Sequence, residues 1–445
     1  MKAKSQRWYL LALLLTLVLA ALAAGCGGDD GGDEAGGDGG TTAAETTESV
    51  SGNVSVMAVW TGPEQASFRA VLDGFEEANP DVTVNYTSAG DQLPTQLSTA
   101  VEGGNPPDIA VLPQPGLMRD FAAKDALTPL DFAADDIETN LGESAVELGS
   151  VDGTLYGFLF KAANKSTVWY NTAAFEDAGV EAPETWEDFL AAAETIKASG
   201  VPAYSIGGAD GWTLTDLFEN IYLRSAGPEL YDQLSTHEIP WTHESVKEAL
   251  TEMAKVLGDT DNIAGGTAGA LQTDFPTSVS NVFTADAKAA QVLEGDFVPG
   301  VVDHGLEAET DFNVFPFPAI GGSGAAVVGG GDTVVLFTDS PAAQALIRYL
   351  ATAEAAQIWA ERGGFASLAK DLDTSVYPDA ITQTTAGALS EAEVFRFDLS
   401  DLQPAAFGGT VGQGLFKLFQ DFLQNPDDVD GIAQQMEDAA AAAFG

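Results

Sequence analysis

Cysteine is almost missing from this chain: Cys26 is the only one in 445 residues, so no intramolecular disulfide can form. Histidine is nearly as scarce. His237, His243 and His304 fall in no HExxH or comparable spacing, which leaves a structural zinc site without donors. There is no GxSxG elbow for a serine hydrolase and no GxxxxGK[ST] loop for a nucleotide phosphate, and no cofactor is implied. Carboxylates are too numerous for a glycosidase pair to be singled out, so that chemistry stays open as an alternative. Basic residues are few as well. Eighteen Lys and Arg against 67 Asp and Glu give a formal net charge of −49, which makes nucleic acid and other polyanions poor partners. A solvated acidic surface suited to solubility or to salty surroundings accounts for that charge, and a neutral ligand suits it best.

What is present begins with an export signal. Lys2, Lys4 and Arg7 precede the apolar run Trp8–Ala24, which ends in small residues before Cys26. The run is at the short limit for a membrane span, and beyond it no stretch is long and apolar enough to cross a bilayer. The residues LAAGC resemble a bacterial lipoprotein lipobox, with one departure: Ala23 stands where a larger aliphatic is usual, and Leu22 lies one step earlier. The resemblance implies a signal peptide over 1–25 and lipidation of Cys26, which would hold the protein on the outer face of the cell membrane. Residues 26–51 are rich in Gly, Thr and acids and cannot bury enough surface to fold; they read as a tether.

The folded body is expected from about Ser51. Asn53–Trp60 alternates like a strand, Phe68, Val71, Leu72 and Phe75 repeat with helical period, and Val82–Tyr86 is again strand-like, a parallel β-α-β pattern. Such units bind ligands outside the carboxyl ends of their strands, where Trp60 and Glu64 fall. A helix over Leu93–Glu102 and a strand over Asp108–Leu112 follow, ending at Gln114, whose other reading is turn duty. The stretch Gly153–Asn171 then places Lys161, Asn164 and Lys165 at a polar seam between two β-prone runs. It reads as a hinge crossing between two lobes, or as a hairpin with a solvated tip.

The segments WTGPE, FRAVLDGFEEANPDVTVNY, QLSTAVEGGNPPDIAV and YGFLFKAANKSTVWYNTAAFEDAGVEAPETWEDFLAAAETIK, in this order, resemble the family of extracellular solute-binding proteins (family 1) of sugar ABC importers. Within it GWTLTDLFENIYLRSAGPELYD, LQTDF, EGDFVPG, VVGGGD, GGFASL and FRFDLSDLQPAAFGG look similar to the α-glucoside-binding branch. The resemblance implies a two-lobed α/β fold of the periplasmic-binding-protein-like type II, lobe 1 spanning 52–162 and 294–338, lobe 2 spanning 163–293 and 339–445. It further implies a monomeric, non-enzymatic receptor that binds a neutral oligosaccharide such as trehalose, maltose or sucrose and passes it to ABC permease transmembrane subunits. A polyol or another non-α-glucoside cargo is the alternative within binding proteins, and a surface glycosidase the alternative outside them.

Thr185 and Asp188 cap a helix ended by Gly200, and Ala203–Ile206 reads as a short strand. Asp210 and Trp212 stand on a Gly-rich loop, Trp212 either as a stacking platform or as core. A helix is expected over Ser278–Thr284 and a strand over Ala289–Leu293, after which Asp296 is a cleft acid or a cap. Asn313–Phe317 and Thr333–Phe337 read as first-lobe strands separated by a glycine-rich loop that ends in Gly329-Gly330-Gly331-Asp332. Ser340 and Pro341 open one long helix that returns to the second lobe. Phe365 follows it, and Arg396 pairs with Asp398 or faces the cleft. Aromatic rings beside carboxylates and amides suit a saccharide, whose C–H faces pack on rings while its hydroxyls need oriented partners. The candidate platforms are Trp60, Trp212 and Phe365. The candidate hydrogen-bonding residues are Glu64, Asp91, Gln114, Lys161, Asp210, Asp274, Asp296, Asp332 and Arg396. Trp169, Trp186 and Trp241 are assigned to the core.

Overall fold

A parallel β-α-β unit opens the described residues where the apolar alternation places it. Strand β1 (Gly52–Ala58) buries Val54, Val56 and Ala58, helix α1 (Gly62–Ala78) turns Phe68, Val71, Leu72 and Phe75 inward, and β2 (Val82–Ser88) runs parallel to β1. Pro63 occupies the first turn of α1, where a missing N–H breaks no helical bond. The computed structural model describes residues 50–284, 286–302 and 305–445; the expected export signal, Cys26 and the expected tether as far as Ser49 lie outside the described residues.

Helix α2 (Leu93–Glu102) leads to β3 (Ile109–Leu112), which pairs parallel with the other side of β1, and α3 (Pro115–Ala122) follows. A small antiparallel pair, β4 (Ser150–Val151) and β5 (Thr154–Leu155), precedes β6 (Gly157–Asn164) and β7 (Thr167–Asn171). These last two are not a hairpin. β6 pairs antiparallel with β10 (Ala326–Leu336) in a six-stranded sheet that also holds β2, β1, β3 and β11 (Val394–Phe397). β7 lies between β8 (Gln291–Leu293) and β9 (Phe312–Pro316) in a separate three-stranded antiparallel sheet. Residues 164–167 therefore carry the chain from one sheet to the other.

Each sheet has its own cores. Phe68, Val71, Phe158, Phe160, Leu346 and Trp359 fill one face of the larger sheet, and Leu93, Leu97, Leu117, Met118 and Phe121 the other. In β7 successive residues go to opposite faces: Val168 joins a large helical core with Trp186, Phe218, Trp241 and Phe419, while Trp169 packs with Phe275, Val279 and Phe312. Trp169, Trp186 and Trp241 are all core residues, as expected. The helix Trp186–Ser199 is capped by Thr185, whose side-chain oxygen accepts from the Asp188 amide, and it ends at Gly200 in a left-handed conformation (φ 106°).

Several expectations from the sequence are corrected. Tyr204 makes only isolated bridges to Ile263 and Gln291, so Ala203–Ile206 forms no strand. β9 pairs with β7 and belongs to the three-stranded sheet, not to the first lobe. The glycines 329–331 are not a loop but the middle of β10. Close approach requires glycine at Gly331, where a Cβ would lie 2.5 Å from the Lys161 carbonyl oxygen; one on Gly329 would displace the exposed Phe395 ring, 2.2 Å away. The helix after Pro341 stops at Leu350 and restarts at Ala353, recapped by Thr352. Both pieces pack in the core of the six-stranded sheet through Leu346, Ile347, Leu350 and Trp359, so the boundary expected at residue 339 falls too early.

The aromatic layer under β1 is a direct test of this packing. Phe68 is fully buried, with ring centroids at 4.6 Å from Trp60 and 5.8 Å from Phe160. Phe68→Ala is expected to cost about 3–5 kcal/mol, read as a lowered midpoint in urea unfolding; an unchanged midpoint would refute the layer.

Candidate functional site

A cavity of ≈ 330 Å³ opens between the carboxyl ends of the first parallel strands and the start of the helix Trp212–Ala226. The end of β1 delivers Trp60, the first turn of α1 Glu64, the segment after β2 Asp91, and the N-cap of α3 Gln114. β6 and β10 contribute Lys161 and Asp332 from adjacent positions in register. Asp210, Trp212 and Asp274 face them from the other side.

The first-sheet wall is a network of paired charges. The Lys161 ammonium is 2.6 Å from Glu64 Oε1 with almost no access to solvent. Burial alone would lower its pKa, but Glu64 and Asp332 outweigh it and hold it above the usual lysine value. Asp332 accepts from Trp60 Nε1 at 3.3 Å; burial pushes its carboxyl up to about 6 against the pull of Lys161. Trp60 offers an edge and not a free face, because Phe68 and Trp359 pack on its ring at 4.6 and 4.7 Å. Gln114 donates from Nε2 to the Gly409 carbonyl at 3.1 Å, a contact that needs a bare glycine, since a Cβ on Gly409 would lie 2.0 Å from that nitrogen.

The opposite wall is aromatic and acidic. Trp212 is half-buried with its ring 5.2 Å from Phe275 and 6.0 Å from Phe297, and the Lys165 ammonium lies 5.8 Å from its centroid. Asp274 caps the helix Phe275–Val282 through the Thr277 amide and stays exposed at the cavity mouth, so its capping and lining roles coincide. Asp210 Oδ2 accepts from the Phe275 amide at 2.6 Å, and its carboxyl lies within hydrogen-bonding reach of Asp91. Burial, and then the neighbouring Asp91 charge, push Asp210 up to about 7. Asp91 is raised too: protein surrounds it on most sides even though water reaches it.

Three candidates sit elsewhere. Asp296 lies outside the cavity lining, buried near Lys161 with neither carboxylate oxygen hydrogen-bonded, and burial pushes it up to about 7. Phe365 is core, stacked on Trp359 at 5.2 Å. Arg396 points away from the cavity and grips Asp232 with Nε at 2.5 Å; Asp398, its expected partner, is held by Lys165 instead. The lining also holds Lys165, placed at the polar seam but not among the binding candidates, and Phe275, Phe297, Asp401 and Phe416, which were not singled out. Phe275 and Phe297 stand directly beside chosen acids in LQTDF and EGDFVPG, so attention to the ring next to each acid would have found them. Nothing near Phe416 in the sequence marks it.

An acid held at a raised pKa favours its protonated form in the fold, so the Asp210 contribution is complete below the ordinary carboxylate value and is lost as pH rises towards about 7. The thermal midpoint is therefore expected to carry a descending component between about pH 4 and pH 7 that flattens in Asp210→Asn. Identical pH profiles for the two proteins would refute the assignment.

Residues 60–357 match the family model described as bacterial extracellular solute-binding protein. The chain is 34% identical over 370 residues to the osmoprotective compounds-binding protein GgtB of Synechocystis, covering 81% of this chain and 87% of that one. It is also 34% identical over 378 residues to the alpha-glucosides-binding periplasmic protein AglE of Rhizobium meliloti, 82% of this chain and 81% of that one. Among solved structures it superposes on the bacterial solute receptor AcbH with a TM-score of 0.78 at 22% identity, over 88% of this chain and 99% of that one. The GacH receptor of Streptomyces glaucescens matches with a TM-score of 0.70 at 20% identity, over 89% and 99%. These structures share the two-lobed α/β fold.

Proposed function

The chain belongs to the bacterial extracellular solute-binding proteins, and on that premise we propose that it is the lipid-anchored receptor of an ABC importer. It captures a neutral oligosaccharide of the α-glucoside class, such as trehalose, maltose or sucrose, by closing two lobes around it. Lobe 1 is taken as the six-stranded sheet with its helices and lobe 2 as the three-stranded sheet with the helical core, the crossing at 164–167 serving as a hinge.

The observation that carries the reading is the make-up of the cavity. Trp212, Phe275, Phe297 and Phe416 supply ring surface on one side, and Glu64, Asp91, Asp210 and Asp332 supply acceptors. Part of the wall's donor capacity is already spent: Trp60 Nε1 on Asp332, and one N–H each of Lys161 and Gln114 on Glu64 and the Gly409 carbonyl. A ligand rich in hydroxyl donors and poor in charge is the complement of such a surface. The volume lies at the small end of the roughly 300–1,000 Å³ typical of ligand sites, which suits a disaccharide. The relative named for α-glucosides supports the narrower class.

A thermal-shift screen with trehalose, maltose, sucrose, sorbitol and glycerol-3-phosphate tests the ligand. A sugar at a hundred times its dissociation constant adds about 2.7 kcal/mol to the folded state. A shift with α-glucosides, lost in Trp212→Ala by at least about tenfold in affinity, is the expected result. No shift with any sugar would overturn the saccharide reading, and a shift with sorbitol alone would move the cargo to polyols. The anchor is tested separately: labelled fatty acid is expected on the wild type in membranes and not on Cys26→Ser, and equal labelling of both would overturn it.

A further inference from the structure

Lys165 stands on the crossing at 164–167, beside β10 and the end of β11. Its amide donates to the Val328 carbonyl of β10 at 2.8 Å, and its own carbonyl accepts from Asn220 Nδ2 at 2.8 Å. The side chain runs across the bare backbone of Gly330, where a Cβ would lie 2.7 Å from Lys165 Cε. Beyond it the ammonium reaches Asp398 at 2.5 Å, Asp216 at 3.2 Å and Asp401 at 3.6 Å. Asp398 follows β11 directly and donates its amide to the Gly329 carbonyl at 2.7 Å. One ammonium thus ties the 164–167 crossing to β10 and to the end of β11.

This cation is the hub of a carboxylate cluster. Glu219 accepts from the Leu399 and Ser400 amides at 2.7 and 2.9 Å, while Asp216 Oδ2 and Glu294 Oε2 are buried with no hydrogen-bond partner. Burial raises Asp216, Glu219, Glu294 and Asp401. Asp398 alone is lowered, because Lys165 and the hydrogen bonds of Asp401 and Ser400 overcome its burial. Removing one partner of such a buried arrangement leaves the others uncompensated.

The same ammonium is also a wall of the cavity. Lys165 and Asp401 both line it, beside Trp212. The tip of the clamp is therefore within reach of a molecule stacked on that ring, whereas its root holds the crossing strands.

We propose that Lys165 is a positioning residue that transmits occupancy of the cavity to the strands crossing between the lobes. A ligand hydroxyl that donates to Asp401 releases that carboxylate from Lys165, and the ammonium settles fully on Asp398 and Asp216, drawing the end of β11 onto the β6–β7 crossing. A ligand shifts a two-state hinge only by its differential contacts with the two states, and this exchange supplies one. The inference rests on the reading of the cavity as a saccharide site that closes.

Trehalose, maltose and sucrose are titrated in turn into the wild type, Lys165→Met, Lys165→Arg and Gly330→Ala. Calorimetry reads affinity, and small-angle scattering reads the radius of gyration at saturation. The wild type is expected to contract, and Lys165→Arg, which keeps a positive charge among the same carboxylates, to contract as well. Lys165→Met is expected to bind about tenfold more weakly and to keep its unliganded radius when saturated. Gly330→Ala keeps the ammonium but obstructs its path, and the same uncoupling is expected; it decides the matter alone if Lys165→Met does not fold. Contraction of Lys165→Met or Gly330→Ala to the wild-type extent overturns the coupling while leaving the saccharide site standing. A folded wild type that binds none of the three sugars overturns the site itself, and the coupling with it.

Discussion

Two ammonium groups buried four residues apart, Lys161 on β6 and Lys165 on the crossing that follows it, set the terms for everything around them. A buried cation is tolerated only when carboxylates surround it, and carboxylates gathered at that density need the cation in return. Glu64 and Asp332 are drawn to Lys161, and Asp216, Asp398 and Asp401 to Lys165. These partners come from α1, β10, the helix Trp212–Ala226 and the segment after β11, so satisfying two side chains assembles both walls of the cavity and the strands between them. In a chain of net charge −49 with so few basic residues, placing two of them here marks the centre of the molecule.

The parts of the fold legible from sequence are those with a local cause. The first β-α-β unit follows from the apolar period of Phe68, Val71, Leu72 and Phe75 and from the stop at Asn79-Pro80, and the helix Trp186–Ser199 from its Thr185 cap and Gly200 terminus. What escaped has a non-local cause. Gly329, Gly330 and Gly331 carry every local sign of a loop, yet they form a strand because they pair with Asn164, Ala163 and Ala162 of β6, and Gly329 also with Phe397 of β11, all remote in the chain. β9 looks equally at home in either sheet until its pairing with β7 is seen.

The site divides the same way. Residues at the ends of early parallel strands and on the Gly-rich loop, such as Glu64, Asp91, Asp210 and Trp212, could be nominated because the position of an acid or ring after a strand is itself informative. Arg396 and Phe365 were nominated from their immediate neighbours, an arginine beside Asp398 and a ring just after a helix end. The structure gives each a plainer duty, an exposed ion pair with Asp232 and a ring stacked on Trp359. Lys165 was visible in the polar seam, but its importance lies in Asp216, Asp398 and Asp401, and no spacing in the sequence announces that they converge.

The helical core beside the three-stranded sheet is completed by the last helix of the chain, Val429–Phe444, through Ile432, Ala433, Met436 and Ala440, which pack in the same core as Val168. The larger sheet likewise waits for β10 and β11 to join strands made far earlier. A polypeptide emerging amino end first cannot finish either body until nearly its whole length is free. Such non-local closure is slow to complete, and a slow-closing chain stays threadable through a narrow passage for as long as its carboxyl end is held back.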